Sequence, residues 1–402
     1  IKACVLQIPT ERTMNTLERK TLNKTLLAVS TITALTQLQT ASAANIAGTD
    51  VKFNGYIKVD AMYSDYSNGE GIGPMRDIYV PSLVQTGAED DDLGGRFDAH
   101  AKQSRFRFTT NTPVDGENSV TGVLEFDFLL TSGGDERVSN SYVPRLRHAY
   151  LQYGNWLVGQ TWSTIMDLGA LVDSVDFIGT TDGVAFTRQP QIRYTNNGFS
   201  IALENPETTV GTTETAQITT DDNSVPDLIA TYTMKTGWGH VKFGGLVRQL
   251  AYEIAEEDYT ETGVSLSLSS RINIGNGDDI RIQVASGSGI GRYVGVNAAN
   301  GAFLNAEGKF EAVDATAVTL AYRHTWNERS RSNIIFSSLD VDTIEGMVGS
   351  LTNDVYSTRI NYIQHITAPL SLGIEYTYAK RETVNGFDGD MSRVQVSARY
   401  DF

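Results

Sequence analysis

The 402 residues are 20% charged and 40% hydrophobic, and 48 acidic side chains outnumber 32 basic ones for a formal net charge of −16. Such acidity argues against a nucleic-acid partner, which would need a basic stripe. No run approaches the ~20 apolar residues of a spanning helix, which excludes a helical membrane protein but not a β-barrel, whose spanning strands are only half apolar.

The first 43 residues read as processing sequence. Met14 opens a basic stretch (Arg19, Lys20, Lys24), a modest apolar run covers Leu26 to Leu38, and Ala41-Ser42-Ala43 is a small-x-small cleavage site. The expected organisation is upstream translated sequence over 1–13, a signal peptide over 14–43 and a short periplasmic N-terminus over 44–50. Residues 51–402 form the body of the protein. Cutting after Ala43 removes the one cysteine, Cys4. A chain with no thiol suits an oxidising compartment, where nothing can mispair.

From Val51 onward, segments of alternating polarity recur, joined by short and long connections in turn. Val51 to Tyr63 comes first, then a long loop holding Glu89-Asp90-Asp91-Asp92, then Ala99 to Asn111 and, past a compact turn, Val120 to Leu130. Arg145 to Tyr153 turns at Gly154-Asn155 into Trp156 to Trp162. The long loop from Ser163 to Ala185 leads to Arg188 to Thr195, and Asn196-Asn197-Gly198 is a hairpin signal before Phe199 to Glu204. Leu228 to Lys235 pairs with Val241 to Gln249, Val264 to Ile274 with Ile280 to Ser286, and Ala315 to Thr325 with Arg331 to Ser337. Tyr356 to Ile366 and Leu370 to Tyr378 form the last hairpin before a closing strand that ends on Phe402. Sixteen strands, with short turns at one end and long loops at the other, predict an all-β fold: a transmembrane antiparallel barrel with both termini on the short-turn, periplasmic side.

Parity supports that reading. Successive strand side chains face opposite ways, and Val264, Leu266, Leu268, Leu372, Ile374 and Tyr376 share a face that carries almost no charge. Arg271, Arg281, Arg323, Arg359 and Glu375 fall on the other. Lipid outside and water inside produce this division, because an Arg facing lipid at mid-bilayer costs about 2–4 kcal/mol.

The inward cations concentrate. Arg105, Arg107, Arg145, Arg147, Arg188 and Arg193 belong to strands two, four and six, and closure brings Arg393 and Arg399 of the last strand round to the first. They are expected to form one basic wall lining the pore, either open to solute or neutralised by Glu125 and Asp127 on strand three. The third loop carries Asp167, Asp173, Asp176 and Asp182 with no Lys or Arg, interleaved with Ile165, Met166, Leu168, Val175 and Phe177. A loop this apolar is expected to fold into the lumen, narrow it and turn its carboxylates towards the arginines, giving the opposed charges by which pores select.

Taken together, the strand count, the long third loop, the strand arginines and the terminal Phe resemble the trimeric porins of Gram-negative outer membranes, and most closely the DcaP-type porins. The carrying stretches are Val51-Lys52-Phe53-Asn54-Gly55-Tyr56-Ile57, Ser104-Arg105-Phe106-Arg107-Phe108, Arg147-His148-Ala149-Tyr150, Gly159-Gln160-Thr161-Trp162-Ser163 and Arg188-Gln189-Pro190-Gln191-Ile192-Arg193-Tyr194. The resemblance implies a homotrimer embedded in outer-membrane lipid and passive diffusion of small, often anionic solutes such as dicarboxylates. It places the luminal basic residues at Arg105, Arg107, Arg145, Arg147 and Arg193.

Alternatives are a non-selective general porin, a closed-barrel surface or adhesion protein, and an outer-membrane hydrolase. The hydrolase has little support: the five histidines are scattered, His148 and His324 fall on outward parity, and there is no G-x-S-x-G. No cofactor and no metal site are expected. Glu89 to Asp92 could hold Ca²⁺ through carboxylate oxygens, but they read better as a solvated acidic loop.

Overall fold

Sixteen antiparallel strands close into one barrel in the computed structural model. It describes residues 42–402 except 88–90, 93, 117, 131–138 and 179. The upstream segment and the expected signal peptide up to Ala41 lie outside the described residues, as do Glu89 and Asp90. The strands are β1 (Thr49–Tyr66), β2 (Arg105–Pro113), β3 (Ser119–Asp127), β4 (Arg145–Tyr153), β5 (Trp156–Trp162), β6 (Arg188–Asn196), β7 (Phe199–Glu204) and β8 (Asp227–Thr236). They continue as β9 (Gly239–Ile254), β10 (Glu257–Gly275), β11 (Asp278–Ser288), β12 (Asp314–Asn327), β13 (Ser330–Val341), β14 (Thr352–His365), β15 (Leu370–Thr383) and β16 (Asp388–Asp401). Each pairs with its chain neighbour, and β16 pairs with β1 to complete the ring.

The barrel is inside-out relative to a water-soluble core. Ile57 and Val59 are 48% and 50% exposed on the outer face, whereas the alternating Lys58 and Asp60 are 7% and 0% exposed. The seam closes through Gly55 and Phe402, whose backbones exchange two hydrogen bonds of 3.1 Å. Gly55 has to be glycine: a Cβ there would stand 2.1 Å from the Arg105 carbonyl oxygen. On the outside the Phe402 ring packs 5.4 Å from Phe53 and 6.1 Å from Phe106. Ser42–Ile46 adds a short strand to the first residues of β1.

Local structure departs from the expected layout in several places. The expected continuous second strand is broken. Arg96–His100 pairs with the upper part of β1, and a turn at Ala101–Ser104, fixed by the Lys102–Asp77 ion pair at 2.8 Å, separates it from β2. Two of the expected long loops are instead hairpin extensions. Residues 249–262 continue the β9–β10 ladder to a two-residue turn at Ala255 (φ 54°) and Glu256 (φ 66°), the left-handed geometry that matches strand twist. β15 and β16 likewise run on to the short turn 384–387. Finally, β4 is bulged: Glu125 pairs with His148 and Phe126 with Leu146, which leaves Arg147 as the extra residue.

Inside the barrel, long loops replace the apolar core that a strand face would supply. In the loop before β2, Met75, Ile78, Tyr79, Val80 and Val84 pack against Ala379 and Met391. In the loop between β11 and β12, Ile290, Tyr293, Val294 and Phe303 pack against Ile229, Leu246 and Leu339. An apolar run such as Ile78-Tyr79-Val80 inside a connection was the available signal that the first loop also turns inward.

Candidate functional site

The bulge in β4 sets up the most charged part of the interior. It turns both Arg147 and His148 inward, which corrects the outward placement expected of His148 from unbroken parity. Arg147 is 1% exposed and bridges Glu125 and Asp127, donating to each at 2.8 Å. Arg145 donates two bonds of 2.9 Å to Asp127. Arg105 lies 3.5 Å from Glu125 and 3.9 Å from Asp127, and Arg107 lies 3.4 Å from Glu125.

Arg188 completes this group without a carboxylate. Its guanidinium stacks 4.6 Å from the Trp162 ring, which Arg147 approaches from 5.5 Å, and its buried Nη1 has no hydrogen-bond partner. Five guanidiniums therefore share two carboxylates. A charge-assisted bidentate partner is what such an excess lacks.

Beside the group is a cavity of about 300 Å³, lined by Arg107, His148, Tyr150, Trp162, Met166, Arg193 and Lys242 among others and by no carboxylate. Among the described residues Arg193 makes no salt bridge, and the acid acting on it is Glu204. The Lys242 ammonium is anchored by the Thr164 and Met166 carbonyl oxygens at 2.8 and 2.7 Å and makes no salt bridge among the described residues. Inward parity on β9 was the available signal for Lys242, which sequence reasoning did not select.

The two arginines of β16 are placed differently. Arg399 donates to its neighbour Asp401 and sits 4.0 Å from the Tyr56 ring, whose surroundings include Arg105 at 5.1 Å, so it reaches the edge of the group. Arg393 does not join it. At 2% exposure it bonds Ser64 Oγ at 2.7 Å, the Tyr66 hydroxyl and the Met75 carbonyl, holding the first long loop to the wall. The expected single wall is thus corrected: Arg393 is a loop anchor.

The third loop, 163–187, touches inward-facing side chains around most of the ring, as only a segment inside the barrel can. Its carboxylates, however, bind the wall opposite the arginine group, against expectation. Asp167 accepts from His240 at 2.7 Å and from Ser269 at 2.6 Å. Asp173 pairs with Arg331 and approaches Arg323 at 4.0 Å. Asp176 accepts from the Tyr79 backbone N–H at 2.9 Å and lies 3.7 Å from Arg359. Asp182, fully buried, accepts from Ser357 at 2.7 Å, and burial pushes its carboxyl above the ordinary range. Backbone bonds add to these: Lys58 donates to the Val175 carbonyl at 2.7 Å, and Glu375 accepts from the Val175 N–H at 3.0 Å. Gly183 fits because the loop lies flat on β12, where a Cβ would meet the Val318 carbonyl at 2.0 Å.

What the loop presents to the arginines is aromatic. Phe177 lies 5.3 Å from the Arg147 guanidinium, 5.7 Å from that of Arg145 and 5.9 Å from that of Arg105. Phe186 packs on Trp162 at 4.9 Å. The reason is local satisfaction: Glu125 and Asp127 already occupy the arginines from the neighbouring strand, while among the described residues His240 and Arg331 pair only with loop carboxylates, and Arg359 is shared between Glu375 of β15 at 3.5 Å and Asp176 at 3.7 Å. Cation–π contact leaves the guanidinium edges free to donate.

Comparison with known proteins follows the fold. Residues 7–402 match the family described as DcaP outer membrane protein. The structure resembles that of the outer membrane channel DcaP of Acinetobacter baumannii, with 24% identity, 89% of this chain and 98% of that one covered and a TM-score of 0.73. An anion-selective porin from Comamonas acidovorans (11% identity, 88% and 100% covered, TM-score 0.53) shares the barrel. So does the trimer form of OmpT from Vibrio cholerae (14% identity, 88% and 100% covered, TM-score 0.51). No curated protein matches the chain.

Proposed function

The chain belongs to the DcaP outer membrane protein family and is an outer-membrane porin, and from that premise we propose that its pore favours small anions, dicarboxylates among them. One observation carries the proposal: among the described residues Arg105, Arg107, Arg145, Arg147 and Arg188 face only Glu125 and Asp127, and the adjoining cavity adds Arg193 and Lys242 with no acid. An entering carboxylate exchanges water for guanidinium edges and passes from one to the next by bidentate contacts, without covalent chemistry. The third loop, held by Asp167, Asp173, Asp176 and Asp182, sets the width of this path, and Phe177 bounds it on the side away from the arginines.

The same reading places both barrel termini in the periplasm and assigns residues 14–43 to a signal peptide. It takes the functional unit to be a homotrimer in outer-membrane lipid. The trimer form of one similar barrel supports that assembly, as does the outward cluster of Phe53, Phe106, Phe108, Phe126 and Phe402 beside the seam.

Purified protein in a planar bilayer tests the proposal. Stepwise conductance is expected, with a reversal potential on the anion side under a salt gradient. A cation-favouring potential would sink the anion preference and leave the porin function standing.

A further inference from the structure

The wall that holds the third loop carries a second concentration of cations. Arg271 on β10, Arg281 on β11, Arg323 on β12 and Arg331 on β13 gather near the short-turn end of the barrel around Asp279 and Asp173. Strand register produces the cluster: Arg271 stands opposite Arg281, and Asp279 opposite Arg323. Asp279, fully buried, takes three guanidiniums at once, Arg271 at 3.0 Å, Arg281 at 2.7 Å and Arg323 at 2.8 Å. Asp173 takes Arg331 and stands 4.0 Å from Arg323.

Two carboxylates do not complete four guanidiniums. The buried Nε atoms of Arg271 and Arg323 have no hydrogen-bond partner, which is costly for a charged donor out of water. Yet the side chains of Arg271, Arg323 and Arg331 remain 36%, 21% and 24% exposed towards the interior. Arg281 is spent: it is nearly buried and donates to Asp279 and to the Leu171 carbonyl of the loop. Partly exposed guanidiniums that outnumber their carboxylates fit an oxyanion that can accept from several of them together.

We propose that Arg271, Arg323 and Arg331 form a second anion-binding site, for a carboxylate or phosphate group, on the wall opposite the first. Asp173 is its built-in competitor, because the loop carboxylate occupies guanidinium donors that an incoming oxyanion would use. Only the ligand class rests on the anion-pore reading; the site itself rests on this cluster.

Single-channel block of the full-length protein by inorganic phosphate and by succinate tests the site. Arg271→Gln with Arg323→Gln is expected to weaken block by about tenfold, the loss of one or two charge-assisted contacts, while the arginine wall keeps the reversal potential anion-favouring. Arg271→Lys with Arg323→Lys, which keeps charge but not the fork, should recover part of that loss. Asp173→Asn, which deletes the competitor, is expected to tighten block several-fold and keeps the test decisive if the double variant fails to assemble. Block unchanged by Asp173→Asn, or unchanged by the double Gln variant, overturns the proposal. A cation-favouring parent channel whose phosphate block still depended on Arg271 and Arg323 would overturn the anion-pore reading and leave this site standing. Response to succinate but not phosphate, or the reverse, identifies which oxyanion the site takes.

Discussion

The two sides of this barrel use the same residue types for opposite ends. On the wall from β2 to β6, arginines outnumber carboxylates, the acids come from the wall itself, and the third loop contributes aromatic rings. On the wall from β9 to β15, His240, Arg331 and Arg359 are bound by loop carboxylates and fix the loop in place. The difference teaches that the number of inward arginines says little by itself. What separates a tether from a landing place for solute is whether the carboxylates of fixed position leave guanidiniums in excess and open to the lumen.

The sharpest way to break the comparison is to separate structural from free arginines within one wall. Arg147 is buried and bridges both acids, so Arg147→Ala leaves Glu125 and Asp127 short of a partner and is expected to cost about 3 kcal/mol of barrel stability. Arg188→Ala removes an unpaired cation and should leave stability unchanged or raised. Denaturant-driven unfolding of the two variants, followed by tryptophan fluorescence, measures the gap; equal losses would mean that Arg188 is as structural as Arg147.

Selectivity supplies the next contrast. Arg188→Gln together with Arg193→Gln takes away the two wall arginines with no carboxylate partner and should lower the anion-to-cation permeability ratio by about tenfold, the lower part of the range a focused field supplies. Arg359→Gln on the opposite wall, already paired with Asp176 and Glu375, should change that ratio far less while disturbing the loop. A matched drop in both variants would erase the distinction between the walls.

Much of this division was legible in the sequence, and the part that was not has a physical cause. Alternation determines which face each strand side chain takes, so the strand count and the inward placement of Arg105, Arg107 and Arg145 follow from parity alone. Parity fails at His148 because a bulge at Arg147 inserts one residue, and nothing in Arg147-His148-Ala149 marks it. The apolar and acidic pattern of 163–185 marked a loop that packs its apolar side away from water. It could not say which wall the carboxylates would choose, since that depends on which arginines their own neighbours had already neutralised. Arg393 was misplaced for a similar reason: its partners Ser64, Tyr66 and Met75 come from a strand end and a loop whose inward fold is a tertiary fact.

The smallest expected effect concerns acid. Burial works against ionisation of Asp167, but hydrogen bonds from Ser269 and His240 win and hold its carboxyl below the ordinary range. Burial likewise opposes Asp173, and the bond and charge of Arg331 outweigh it. A depressed folded-state value means that each tether contributes its full stabilisation above the ordinary carboxylate range, near pH 4, and loses it only as pH falls through the depressed value. The Asp167 and Asp173 tethers, and the conductance they control, should therefore hold constant from neutral pH down to about 4 and shift only below that, whereas Asp182, whose carboxyl burial raises, takes a proton earlier. The arginine wall has no such threshold, because guanidinium charge does not titrate in this range. Conductance recorded across a pH series at fixed salt checks the point. A step near pH 6 would take control of the pore away from the Asp167 and Asp173 tethers.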